Sequence, residues 1–184
     1  MITNVKIEKI NFNDKKFISL INFYLVKSNP VPRISNITSF SAKQLAINEY
    51  INTLSDLDLS IACVDDKGNY LFFVFLDKLS NGSLDLEFAF PNSSVSSNVD
   101  LMRSCFYSLC LYGLDYFKCD NIEGTIRRQK KKNPFKVFLK RYIKAISYEE
   151  REDLKHDFVY LNRESILKHC EKLKIQGNRD KLDN

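Results

Sequence analysis

Three apolar runs, Leu59 to Val64, Tyr70 to Leu76 and Leu84 to Phe90, are separated by only two short polar stretches. Those stretches are Asp66-Lys67-Gly68-Asn69 and Ser80-Asn81-Gly82-Ser83. In each, a glycine beside Asn or Ser supplies the positive φ that a tight hairpin needs. Connections this short join antiparallel neighbours, because a parallel crossover requires a dozen residues or more. The sequence therefore predicts an antiparallel three-stranded meander at its centre. A chain of 184 residues fits one domain with a substantial core. We expect that domain over residues 1–176 and a polar C-terminal tail over 177–184.

Helical and strand-like segments flank the meander. Val5 to Ile10 alternates apolar and charged residues, as a half-buried strand does. Asn13 or Asp14 can cap a helix from Lys15 to Leu25, and Ser41 a second from Ala42 to Leu54, with Leu45, Ile47 and Ile51 along its apolar side. Asn98 to Lys118 is the longest predicted helix. Its wide apolar face, Leu101, Met102, Cys105, Phe106, Leu109, Tyr112 and Phe117, suits a sheet surface. Gly113 should weaken its last turns by about 1 kcal/mol relative to Ala. A strand, Asn121 to Arg127, and a helix, Phe135 to Tyr142, with Pro134 in its first turn, come next. Ile143 to Ser147 and Phe158 to Leu161 are expected as a closing strand pair, joined by the charged stretch Tyr148 to Asp157. Arg163 to Leu173 carries a short stripe through Ile166, Leu167, Cys170 and Leu173.

The five cysteines are odd in number and form no CxxC pair, so neither a disulfide framework nor a zinc site is signalled. Cys63 and Cys105 fall in apolar runs and read as small hydrophobes. His156 and His169 are isolated in sequence, and no metal is expected. The N-terminal residues lack the apolar centre of a signal peptide. No apolar run approaches the roughly 20 residues needed to span a bilayer. The expectation is a soluble protein without membrane contact, cytoplasmic or virion-associated.

The order strand, two helices, three antiparallel strands, long helix, strand, helix and strands resembles the GNAT superfamily of acyl-CoA N-acyltransferases. The likeness spans roughly residues 3–162 and is best where the long helix leads into Asn121-Ile122-Glu123-Gly124-Thr125-Ile126-Arg127. It implies an α/β fold of the α+β mixed-sheet kind, a central mostly antiparallel sheet flanked by helices, with an acyl-CoA cofactor, acetyl-CoA if the protein is enzymatic. Asn133 matches an Asn that family members carry before a short helix flanking the cofactor. The family's pyrophosphate loop, by contrast, is rewritten. Where it has Arg or Gln, two residues, Gly, one residue, then Gly or Ala, this chain has Asn92-Ser93-Ser94-Val95-Ser96-Ser97.

Side chains in place of glycine hinder close approach of backbone N–H groups to a diphosphate. The positive residue that opens the pattern is absent as well. Ser93, Ser94, Ser96, Ser97 and Asn98, with the helix dipole behind them, still offer donors to an anion. A Tyr in the later helix often protonates the departing thiolate in the family, and a Glu or a water takes the amine proton. Tyr142 is the nearest match for the first, with Phe138 or Lys140 as alternatives one or two residues away. Glu87 is a candidate for the second if it faces the cleft, although alternation in Leu84-Asp85-Leu86-Glu87-Phe88 also lets it face solvent beside Asp85.

From Arg127 to Lys144 nine cations occur without one Asp or Glu: Arg127, Arg128, Lys130, Lys131, Lys132, Lys136, Lys140, Arg141 and Lys144. The whole chain carries a formal +5, so this segment dominates the positive field. A solvated turn and helix face, phosphates of nucleic acid or another polyanion, and the cofactor's own phosphates all satisfy such a run. Two functions follow. One is a degenerate, non-catalytic GNAT-like module that docks to protein subunits, nucleic acid or both within an assembly such as a phage virion. The alternative is a divergent acetyl-CoA-dependent N-acetyltransferase acting on an amine. The sequence leans to the first, on the lost glycines.

Overall fold

The computed structural model describes residues 5–28, 31, 34, 36–92, 97–127, 134–144, 146–150 and 156–170. Among them seven strands form one sheet. They are β1 (Val5–Lys9), β2 (Leu59–Asp65), β3 (Tyr70–Lys78), β4 (Leu84–Pro91), β5 (Asn121–Arg127), β6 (Ile146–Glu150) and β7 (His156–Asn162). Their spatial order is β1-β2-β3-β4-β5-β7-β6. Every neighbouring pair is antiparallel except β4 and β5, which run parallel. The helices are α1 (Lys15–Ser28), α2 (Phe40–Ser55), α3 (Val99–Phe117), α4 (Pro134–Tyr142) and α5 (Arg163–Cys170).

The central meander forms as its turns dictate. Gly68 and Gly82 adopt φ of 73° and 83°, and Leu79 N–H closes the second hairpin on the Ser83 carbonyl at 2.9 Å. Alternation then sends β-strand side chains to two cores. Ala62, Val64, Tyr70, Phe73, Phe75 and Phe90 pack under α1 and α2, against Phe17, Ile21, Leu25, Ile47, Tyr50, Ile51 and Leu54. Leu59, Ile61, Cys63, Phe72, Val74, Leu76, Leu84, Leu86 and Ala89 face the other way, under α3, α4 and α5. Among the described residues no helix is long and apolar enough to cross a membrane.

Asn98 caps α3 with its side-chain oxygen accepting from Leu101 N–H at 3.0 Å. Lys118 ends the helix in the left-handed region at φ 55°, a conformation that costs an L-residue about 1 kcal/mol. The buried face of α3 includes Tyr107, Cys110, Gly113 and Leu114, one notch around from the predicted stripe, while Leu101, Tyr112 and Phe117 are only partly buried. Gly113 is therefore a contact surface: a Cβ there would lie 2.4 Å from Leu76 Cδ1. All five cysteines are free and buried. A hydrogen bond to Cys105, and then burial, push the Cys63 thiol well up.

Several predicted boundaries move. Helix α2 starts after Ser39, not Ser41, and Leu45 is 61% exposed rather than part of the apolar side. Leu45 lies two residues before Ile47, on the far side of the helix from the Ile47, Tyr50, Ile51 and Leu54 stripe. The strand expected over Ile143 to Ser147 is β6 at Ile146–Glu150, because Ile143 is buried and closes the end of α4 through its N–H to the Leu139 carbonyl. Strand β7 begins at His156, so residues 148–150 and 156–157 of the expected connecting stretch are strand, while 151–155 lie outside the described residues. Helix α5 is described to Cys170, and Leu167 in its expected stripe is 40% exposed. Leu173 and the expected tail 177–184 lie outside the described residues.

Candidate active site

Strands β4 and β5 touch as a ladder at two registered positions only, Leu84 with Ile122 and Asp85 with Glu123. Beyond these they part, so a V opens toward the C-terminal ends of both strands. Two local features set the apex. Opposite β3 the register runs Phe75 with Phe88 and then Leu76 with Leu86, which leaves Glu87 as an extra, unpaired residue. This is a β-bulge, and it bends β4 away from its neighbour. It also resets the alternation: Leu86 and Ala89 both join the α3-side core while Phe90 joins the other. On β5, Gly124 lies where a Cβ would sit 3.3 Å from the Leu86 Cβ and carbonyl oxygen. A glycine there lets the two backbones come together before they diverge.

The apex is acidic on the α1/α2 face. Asp77, Asp85 and Glu123 occupy registered positions on three successive strands, and each falls opposite in parity to the residues that pack on α3. Glu87 is exposed at the bulge beside them. Partial burial first, and then the charges of Glu87, Asp77 and Glu123, push the Asp85 carboxyl above its ordinary value. Glu123 is held in place, since its Oε1 accepts from the Ser83 hydroxyl at 2.8 Å and from the Asn81 amide at 3.2 Å. A carboxylate with a raised pKa, at the end of a cleft and among other carboxylates, is a physical marker of a functional site.

The α3/α4 face of the V is different. Helix α4 packs on the β6 side of the sheet, and α3 on β2, β3, β4 and β5. Phe138 of α4 nevertheless reaches Phe72 of β3 and Phe106 of α3, each with ring centroids 6.0 Å away. Phe72 and Phe106 are themselves 5.9 Å apart. Because β4 lies between β3 and β5, this trio spans the opening of the V. Phe72 is opposite Pro91, at the far end of β4. Phe138 is only 7% exposed. Tyr142, one turn on, is partly buried on the same core with its ring 6.2 Å from Phe138.

The remaining predicted residues fall as follows. Ser97 and Asn98 are exposed at the start of α3. Ser93, Ser94, Ser96 and Asn133 lie outside the described residues, as do Arg128, Lys130, Lys131 and Lys132. Arg127 closes β5, opposite His156. Lys140, Arg141 and Lys144 are exposed on or just after α4. Lys136 is turned inward to the wholly buried carboxylate of Asp157. Asp157, Asp85, Glu123 and Phe138 are the residues that sequence reasoning undervalued. The acidic pairing was accessible only through the strand register, and the Asp157 pairing only through the placement of α4.

No protein-family sequence model matches the chain, and no curated protein sequence is similar enough to count as a relative. Solved structures do match. A GNAT-family acetyltransferase from Staphylococcus aureus aligns with TM-score 0.57 and 15% identity over 86% of this chain and 98% of its own. A spermidine N-acetyltransferase SpeG chimera from Vibrio cholerae and hSSAT aligns with TM-score 0.57 and 15% identity over 90% and 99%. An acetyltransferase from Streptococcus agalactiae gives TM-score 0.52 and 14% identity over 87% and 99%. The chain has the GNAT acyl-CoA N-acyltransferase-like fold: a mixed sheet, mostly antiparallel, flanked by helices.

An acyl-CoA would need an anion-binding end and a channel for its arm. The first turn of α3 offers N–H groups and the positive end of a dipole, and Asn98 already uses the Leu101 N–H. Asp100 in that turn opposes an anion, while Arg103, 3.4 Å from it, offsets part of its charge. At the apex the registered ladder between β4 and β5 ends at Asp85 and Glu123. Among the described residues, the first turn of α3 with Arg103 and the parted ends of β4 and β5 are the groups that would hold an acyl-CoA.

Proposed function

We propose that this protein is an acyl-CoA-dependent N-acyltransferase acting on a cationic amine. The observation that carries the reading is the apex itself. The bulge at Glu87 falls where β4 leaves β5, with Asp77, Asp85 and Glu123 beside it. Four carboxylates attract an ammonium group and orient it at the opening. Glu87, exposed and free of the β-ladder, takes the proton as the amine attacks. The cofactor supplies the activated acyl group as a thioester. Backbone N–H groups where the strands part suit the developing negative charge on the carbonyl oxygen. Tyr142 is the candidate proton donor to the thiolate.

The test is thiol release from acetyl-CoA by purified protein with a panel of primary amines and polyamines. Amine-dependent release is expected, with kcat/KM reduced about 10²-fold in Glu87→Gln. Absence of acetyl-CoA binding at millimolar concentration, together with no release, refutes the reading.

A second reading is a non-catalytic docking module within an assembly. The exposed Lys140, Arg141 and Lys144, on and just after α4, favour it. These cations predict binding to heparin or a short oligonucleotide that weakens steeply with salt. Unchanged affinity between 50 and about 200 mM salt argues against it.

A further inference from the structure

The two faces of the V carry different residues. On the α1/α2 face Glu87 and Thr125 are exposed at its apex. On the α3/α4 face the Phe138 ring packs against both Phe72 and Phe106, the three centroids about equally spaced, and Phe72 is registered with Pro91 at the far end of β4. An extended ligand arm running along this face from the start of α3 to the apex would meet the Phe138 ring, which joins α4 to α3 through Phe106.

We propose that Phe138 is a gate on the acyl-donor channel. Its ring must leave the Phe72–Phe106 pair before a thioester arm can reach the apex, so it sets both donor affinity and donor width. The inference rests on the acyltransferase reading above. Its chemistry is a conformational preference: closed, the ring keeps the aromatic contacts of the trio, and open, it gives them up to the ligand's arm. Apparent donor affinity is then the intrinsic affinity reduced by the fraction of molecules with the ring withdrawn. An ordinary core phenylalanine behaves differently, because truncating it lowers stability without improving the binding of anything large.

The experiment compares wild type with Phe138→Leu and Phe138→Ala by calorimetry with acetyl-CoA and with a longer-chain acyl-CoA. Wild-type protein carrying 4-fluorophenylalanine at position 138 is followed by fluorine NMR. Donor affinity should rise about tenfold in Phe138→Leu, and more for the longer acyl chain than for acetyl. The fluorine resonance should move on saturation with acetyl-CoA. The leucine variant keeps most of the apolar volume, so it serves if the alanine variant fails to fold. Equal affinity of wild type and variants, or an unmoved resonance at saturation, overturns the gate and leaves the acyltransferase reading standing. Absence of binding in all forms overturns both.

Discussion

Lys136 of α4 forms an ion pair with Asp157 of β7, whose side chain is completely buried while that of Lys136 keeps 27% of its exposure. Asp157 falls on the face that Val159 and Leu161 use to enter the core. The pair thus fastens α4 to the sheet at the point from which Phe138 extends. Removing the ammonium alone takes its cationic partner from a buried carboxylate, and breaking a buried pair in this way typically costs about 3–5 kcal/mol. We expect Lys136→Met to lose stability on that scale in urea unfolding. The double variant Lys136→Met/Asp157→Leu should recover most of the loss. A single variant within about 0.5 kcal/mol of wild type would show that the pair carries no such role.

Helix propensity alone says that Gly113→Ala should stabilise the protein by about 1 kcal/mol. The structure says the reverse. The added methyl meets Leu76 Cδ1 at 2.4 Å, and Leu76 is itself fully buried. Overpacking of this kind costs about 1–3 kcal/mol. The expected net result is a loss of about 1 kcal/mol and a Tm lower by about 2–4 °C. Calorimetric scanning gives the sign directly.

The Asp85 carboxyl titrates above its unfolded value, through partial burial and then the charges of Glu87, Asp77 and Glu123. Its contribution to stability is therefore complete below the unfolded pKa and is lost as pH rises through the folded one. Asp85→Asn should be more stable than wild type at pH 7, and the advantage should vanish below about pH 4. Because the group is half exposed and screened, we expect a gain on the order of 0.5 kcal/mol that shrinks in high salt. Chemical denaturation at several pH values measures it. A gain that persists in acid would contradict the assignment.

Arg163 at the start of α5 bonds Asp115 and Asp120 and donates to the Cys119 carbonyl at 2.9 Å. It thus clamps the turn between α3 and β5. Lysine keeps the charge but loses the planar fork. Arg163→Lys should cost about 1–2 kcal/mol, near the range for hydrogen bonds to charged groups. Faster amide exchange in α5 than in β2 or β3 would locate the loss.

Much of the fold was legible because it rests on local chemistry. Gly68 and Gly82 announce the hairpins, Asn98 announces the start of α3, and Asn121 to Arg127 is a strand with the predicted bounds. What escaped depends on pairing across distance. A period of two cannot reveal an extra residue, so alternation placed Glu87 beside Asp85 without the bulge that frees it. Strand β6 carries Glu149 and Glu150 because an edge strand is paired on one side only, and that blurs its periodicity. Phe138 was in view as an alternative to Tyr142. Its reach to β3 is a property of where α4 docks, which no spacing records. Lys136 was counted with a basic run, although its partner lies 21 residues away.

The two shared rungs between β4 and β5 have a mechanical meaning. The antiparallel plate β1 to β4 and the antiparallel plate β5 to β7 are each stitched along their full strands, whereas the seam between them is held at Leu84–Ile122 and Asp85–Glu123. Under load, or early in unfolding, the molecule has a crease there, with α3 acting as the strap that crosses from one plate to the other.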